Sequence, residues 1–116
     1  MKDTRKLEGK WQVVEMPDLV DDYLDLTPDP HVYLKVINSK DVDGTYKFGA
    51  QSGEFDGQIE KTKENQIILT FTFEGEDEMD PVHGFGTAIL IDDNTLKGEM
   101  RYHRSDTYRF TWKRVG

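Results

Sequence analysis

Between residues 8 and 114 the chain runs through eight short stretches in which apolar and polar side chains alternate. A period of two is what a strand with one buried face requires, because successive side chains point to opposite sides. The stretches are 8–16, 31–38, 45–50, 54–60, 66–74, 82–91, 96–103 and 107–114, here β1 to β8. Turn residues stand between them, among them Asp41-Val42-Asp43-Gly44, Gln51-Ser52-Gly53, Asp92-Asp93-Asn94 and Arg104-Ser105-Asp106. Short strands about ten residues apart, joined by turns, predict an all-β fold that closes on itself. The expected architecture is an eight-stranded antiparallel up-and-down barrel, since closure removes exposed edges. The 116 residues make one domain, residues 1–116, long enough to bury a core without staples.

The stretch from Pro17 to Leu26 breaks the alternation. Pro suits a first helical turn, and the early Asp18 favours the helix dipole. Leu19 and Tyr23 are four residues apart, as are Val20 and Leu24, so each pair shares a helical face. The spacing predicts a short amphipathic helix between β1 and β2, stopped near Thr27-Pro28-Asp29-Pro30.

Taking the apolar member of each alternation as inward gives the core. It comprises Trp11 and Val13; Val32, Leu34 and Val36; Tyr46 and Phe48; Phe55, Gly57 and Ile59; and Ile67, Leu69, Phe71 and Phe73. It continues with Phe85, Thr87, Ile89 and Ile91; Leu96, Gly98, Met100 and Tyr102; and Tyr108, Phe110 and Trp112. Eight strands enclose room for side chains or one small ligand. With so many aromatics inside, space is expected only beside Gly57, Gly98 and Thr87.

Three features carry a family resemblance. Gly9-Lys10-Trp11 lies on the first strand, Arg114 is in phase with the inward residues of the last, and an insert separates β1 from β2. In these features the chain resembles the lipocalin and fatty-acid-binding-protein group, the calycin barrels. The resemblance covers nearly the whole chain by pattern. It implies that Trp11 plugs one end and that Arg114 packs across its ring. It also implies small-ligand binding at the other end as the commonest activity. The group includes carriers, enzymes and haem proteins, so the fold leaves function open.

Composition narrows the partners. A net charge of −8 excludes general nucleic-acid binding, which needs Lys and Arg against phosphates, and adsorption to anionic membranes. No stretch approaches the ~20 apolar residues of a membrane helix. With no cysteine, thiolate metal sites and disulfides are excluded. Met1 to Lys6 are polar and lead directly into β1, so the expected location is the cytoplasm.

In a meander, β1 runs from the plugged end to the open end, and the insert, the acidic stretch 75–81 and the β7–β8 turn share the open end. Glu15, His83, Tyr102, Asp106 and Tyr108 are expected there, facing in, as a polar collar above an aromatic floor. Apolar walls with a few convergent polar groups are the usual design of a small-molecule pocket. His31, His83 and His103 share that end, but only His83 is in phase with inward residues and the spacings match no metal motif. No metal or cofactor is expected, and the acidic stretch lacks a calcium-loop pattern. Val14, Tyr33, Ile37, Ile68 and Leu90 fall on the outward set, which raises a homodimer through the barrel wall.

The expected function is binding of a small apolar or aromatic molecule at the open end, without chemistry. The alternative is a structural or interaction module with a filled core, acting as an oligomer. An enzyme using His83 with Glu15 or Asp106 as an acid–base pair is a third reading, with no nucleophile or metal motif behind it.

Overall fold

The computed structural model describes residues 4–19 and 22–115. Eight strands form a closed barrel, each paired with its chain neighbours and β1 paired with β8. They are β1 (Gly9–Glu15), β2 (His31–Val36), β3 (Asp41–Phe48), β4 (Gln51–Lys61), β5 (Ile67–Asp77), β6 (Asp80–Asp92), β7 (Thr95–Tyr102) and β8 (Thr107–Arg114). All eight pairings are antiparallel. The all-β up-and-down barrel expected from the alternation is the fold. No helix among the described residues is long and apolar enough to cross a membrane.

The helix expected over 17–26 is a correction. Its described part holds one 3-10 turn, Leu24–Leu26, and Val20 lies outside the described residues. Instead of presenting a helical stripe, Leu19, Tyr23 and Leu24 pack individually on the barrel core. A second 3-10 turn, Thr4–Leu7, precedes β1.

Two turns also move. Asp41–Gly44 belongs to β3 rather than to a turn. The reversal comes earlier, where the Asn38 side-chain oxygen accepts the backbone N–H groups of Lys40 (2.8 Å) and Asp41 (2.9 Å). An Asn side chain can mimic a backbone turn in this way. The acidic stretch is not a loop: β5 runs to Asp77 and β6 starts at Asp80. Glu78 and Met79 alone make the reversal, with φ of 52° and 76°. Positive φ at both central positions matches the right-handed twist of a hairpin.

The inward rows of β1 to β5, β7 and β8 are the expected ones, buried or nearly so. On β6 the expected phase is wrong by one residue. Phe85 and Ile91 are each 55% exposed, while Ala88 is fully buried. The inward row is Val82, Gly84, Gly86, Ala88 and Leu90. The reason is volume. Gly84 pairs with Phe73 and Gly86 with Phe71. A Cβ on Gly84 would lie 2.9 Å from the Phe73 ring, and one on Gly86 2.6 Å from the Phe71 ring. The small residues of β6 make room for the large ones of β5, as close packing demands.

The interior is therefore filled. Tyr46 stacks on Phe55 (centroids 4.9 Å apart), Phe55 on Trp112 (5.8 Å), and Trp112 on Phe110 (4.2 Å). The space expected beside Gly57, Gly98 and Thr87 is not there. Leu69 comes within 2.9 Å of where a Gly57 Cβ would be, and Gly98 lies against the Thr87 backbone. The Thr87 side chain faces out.

One end is sealed. The Trp11 indole N–H donates to the Leu7 carbonyl (2.9 Å), and both residues are fully buried. The Arg114 guanidinium lies 4.5 Å from the centre of the Trp11 ring. It also donates to the carbonyls of Asp93 (3.0 Å), Glu8 (2.9 Å) and Lys6. Five donors in a planar fork let one arginine tie the β6–β7 turn to the chain entering β1.

Candidate functional site: a tyrosine cleft at the open end

The other end is covered by the connection from β1 to β2. Met16 and Thr27 are buried in it. The Thr27 hydroxyl donates to the Gly49 carbonyl (2.6 Å). Gly49 has φ +58°, and a Cβ there would collide with the Tyr23 ring. Glycine is needed twice over, for the left-handed backbone and for the ring that lies on it.

Asp18 pins this cover to β8. Its carboxylate accepts from the Arg109 backbone N–H (2.9 Å), Nε (3.0 Å) and Nη2 (2.8 Å). The Arg109 side-chain and backbone donors hold the Asp18 carboxyl down at about 2, against 3.8 for a free one. A depressed carboxyl contributes fully above its unfolded value and loses that contribution as pH falls through the folded one. The Asp18–Arg109 pair should hold above about pH 4 and be lost between there and pH 2, loosening the cover at that edge. Amide exchange over residues 22–27, measured across that range, would check this; Asp18→Asn should show the acid-like exchange already at neutral pH. Unchanged exchange in both would remove Asp18 as the pin.

Between cover and barrel lies a cleft of about 480 Å³, lined in part by Leu19, Tyr23, Gln51, Asp77, Tyr102 and Tyr108. Its polar groups pair off. The Tyr102 hydroxyl donates to Gln51 Oε1 (2.5 Å), and the Tyr23 hydroxyl donates to Asp77 Oδ1 (3.4 Å). Burial pushes the Tyr102 hydroxyl above its ordinary range. Tyr102 is therefore a neutral hydrogen-bonding group at physiological pH.

Tyr46 does not line the cleft. Its hydroxyl sits where Cβ atoms of the paired residues Gly53 and Gly75 would be, 2.6 and 2.8 Å from those positions. It is buried and has no hydrogen-bond partner in the protein. Burial raises its pKa first of all, and the nearby Tyr23 and Asp77 add to the rise. An unsatisfied buried hydroxyl costs about 1–3 kcal/mol. Trp112 Nε1 is orphaned likewise, deeper in the core.

The expected collar is only partly assembled. Tyr102 and Tyr108 line the cleft with their rings 5.4 Å apart, edge to face. His83 does not face in, as the shifted phase of β6 requires. It is exposed and stacks on His103 at 4.5 Å, and both rings line the cleft from its rim. Glu15 follows a β-bulge in β1, is exposed, and accepts from the Thr111 hydroxyl (3.4 Å). Asp106 is exposed in the β7–β8 turn, where its carbonyl accepts the Tyr102 N–H (3.2 Å). Neither carboxylate lines the cleft with His83. Among the described residues no three His, Cys, Asp or Glu side chains gather as a metal site.

As cleft residues, Tyr23, Gln51 and Asp77 were not expected; the helical spacing placed Tyr23 only on the insert. A signal existed for two of them. Gln51 and Asp77 occupy inward positions at the open ends of β4 and β5, and a polar residue on an apolar row calls for a partner.

A larger depression, about 1060 Å³, crosses the outer wall from β2 to β6. It is a trough between two rows of outward side chains, and every polar side chain along it is exposed. The mouth is where buried polar groups converge, so the mouth is the better candidate. The chain matches no family model and no curated protein.

Proposed function

We propose that this barrel binds a small, neutral, mostly aromatic molecule in the cleft at its open end and performs no chemistry on it. One observation carries the reading: two hydrogen-bonded pairs, Tyr102 with Gln51 and Tyr23 with Asp77, converge with Tyr108 on one cleft. The volume of about 480 Å³ falls within the ~300–1,000 Å³ of small-molecule sites. Asp77 at the cleft and the net charge of −8 disfavour anions. A carbonyl acceptor on an aromatic body suits the tyrosine hydroxyls and rings that line the cleft. On this reading the chain is a small lipocalin-like carrier, with the Trp11–Arg114 closure as the shared feature, working in the cytoplasm.

The test is an NMR titration of the whole protein with neutral aromatic carbonyl compounds: benzamide, acetophenone and coumarin. Shifts should centre on Val82, Tyr102 and Tyr108. Tyr23→Phe should weaken binding by about 3–10-fold, the worth of one hydrogen bond, and Tyr102→Ala by more. No shifts at millimolar probe, or shifts confined to the outer wall, would end the proposal.

The filled interior favours a second reading, an interaction module acting through its outer surface.

A further inference from the structure

Two neighbouring side chains of the cleft are a donor and an acceptor. Gln51 on β4 and Asp77 on β5 are register partners, and both line the cleft. Side chains directly opposite each other on one face of a sheet stand about 5 Å apart at Cβ. Gln51 is only 5% exposed. A polar group taken out of water on an apolar row needs a partner for each of its hydrogen-bonding ends.

Each is held from one side by a tyrosine. The Tyr102 hydroxyl donates to Gln51 Oε1 (2.5 Å), which turns Nε2 away from Tyr102. The Tyr23 hydroxyl donates to Asp77 Oδ1 (3.4 Å), which leaves Oδ2. Among the described residues Oδ2 accepts no hydrogen bond, and Gln51 and Asp77 do not bond each other. Nε2 carries two N–H donors, more than the nearby Tyr23 oxygen can accept from one nitrogen. A donor and an acceptor thus stand side by side, oriented by tyrosines and left for a third body. The walls around them are flat rings: Tyr102 and Tyr108 meet edge to face, and His83 and His103 stack at the rim.

We propose that the cleft selects planar aromatic lactams, molecules that carry a carbonyl beside an N–H on one edge of a ring; this rests on the reading of the cleft as a small-molecule site. The ring carbonyl accepts from Gln51 Nε2, and the ring N–H donates to Asp77 Oδ2. A ring fixes the amide cis, so both groups point the same way and no rotor is frozen on binding. The tyrosine bonds fix the two protein groups in the same manner. A ketone or an ester of the same shape offers Asp77 only lone pairs, and their repulsion selects against it. The bond to Asp77 has a charged acceptor, which makes it the stronger of the two. Asp77 therefore supplies the discrimination, and Gln51 supplies affinity that any ring carbonyl shares.

A matched pair of probes tests it: isoquinolin-1-one, a lactam, and isocoumarin, the same bicycle with a ring oxygen in place of the N–H. Each is titrated into the full chain and followed by NMR. The lactam should bind at least about 10-fold tighter, because isocoumarin loses a charge-assisted hydrogen bond. In Asp77→Ala the two should bind within about 2-fold of each other. Gln51→Ala should weaken both by about 3–10-fold and keep the preference. Equal binding of the two probes to the wild type overturns the inference and leaves the reading of the cleft standing; binding of neither at millimolar concentration ends both. A preference that survives Asp77→Ala also overturns it. Circular dichroism checks that Asp77→Ala folds. If it does not, the lactam N–H proton decides: it should move downfield on binding to the wild type, and an unmoved resonance overturns the proposal.

Discussion

Replacing Trp11 by alanine will lower the stability of the barrel by about 3–5 kcal/mol, the range for deleting a large buried aromatic. The indole is fully buried and its N–H is held by the Leu7 carbonyl. Removal empties the plug, orphans that carbonyl, and takes away the surface on which Arg114 rests. A domain this size has about 5–15 kcal/mol in all, so the variant should sit near the edge of folding. Urea unfolding followed by circular dichroism measures the loss. Arg114→Ala should cost on the order of 2 kcal/mol, from the lost cation–π contact and three carbonyls left without a donor. Because the two side chains share one contact, the double variant should lose less than the sum of the singles. A loss below about 1 kcal/mol for Trp11→Ala would mean that this end is not what closes the barrel.

Gly98→Val should be nearly as damaging, about 3 kcal/mol or more, from overpacking where nothing can yield. Gly98 pairs with Ala88 on one side and Phe110 on the other. The atoms a side chain would meet are all backbone: the Thr87 carbonyl and the Ala88 Cα. Strands β6 and β7 would have to separate. Gly57→Ala is the control. Its new methyl would first meet the end of the flexible Leu69 side chain, and a loss of about 1 kcal/mol is expected. Equal stability of Gly98→Val and the wild type in the same urea titration would show that β6 and β7 do not approach this closely.

Much of the architecture was legible in the chain. Alternation in seven strands placed Trp11, Val32, Phe55, Leu69, Met100 and Trp112 inside, because a strand's two faces are fixed by parity alone. The pairing of Trp11 with Arg114 was legible too, since an up-and-down order brings the start of the first strand beside the end of the last. Parity failed on β6, where both faces are apolar. Phe85, Ile89 and Ile91 are larger and more apolar than Gly84, Gly86 and Ala88, so hydrophobicity chose the wrong row. Volume chose the right one, and volume is a property of the neighbours: Phe71 and Phe73 already fill the space.

The site followed from that one slip. His83 moved to the rim and Phe85 to the wall, which removed an acid–base pair from the interior and left Phe85 and Ile91 exposed on the outside. The cover over the mouth was hidden for a related reason. Its residues Leu19, Tyr23 and Leu24 show helical spacing, yet what holds it are single contacts to distant strands, Asp18 to Arg109 and Thr27 to Gly49. Local sequence determined that there would be eight strands, a plug and an open end, because those depend on alternation and chain order. The tertiary structure alone decided which face of β6 looks inward and which polar groups meet at the mouth, because both depend on how side chains remote in sequence divide one small volume.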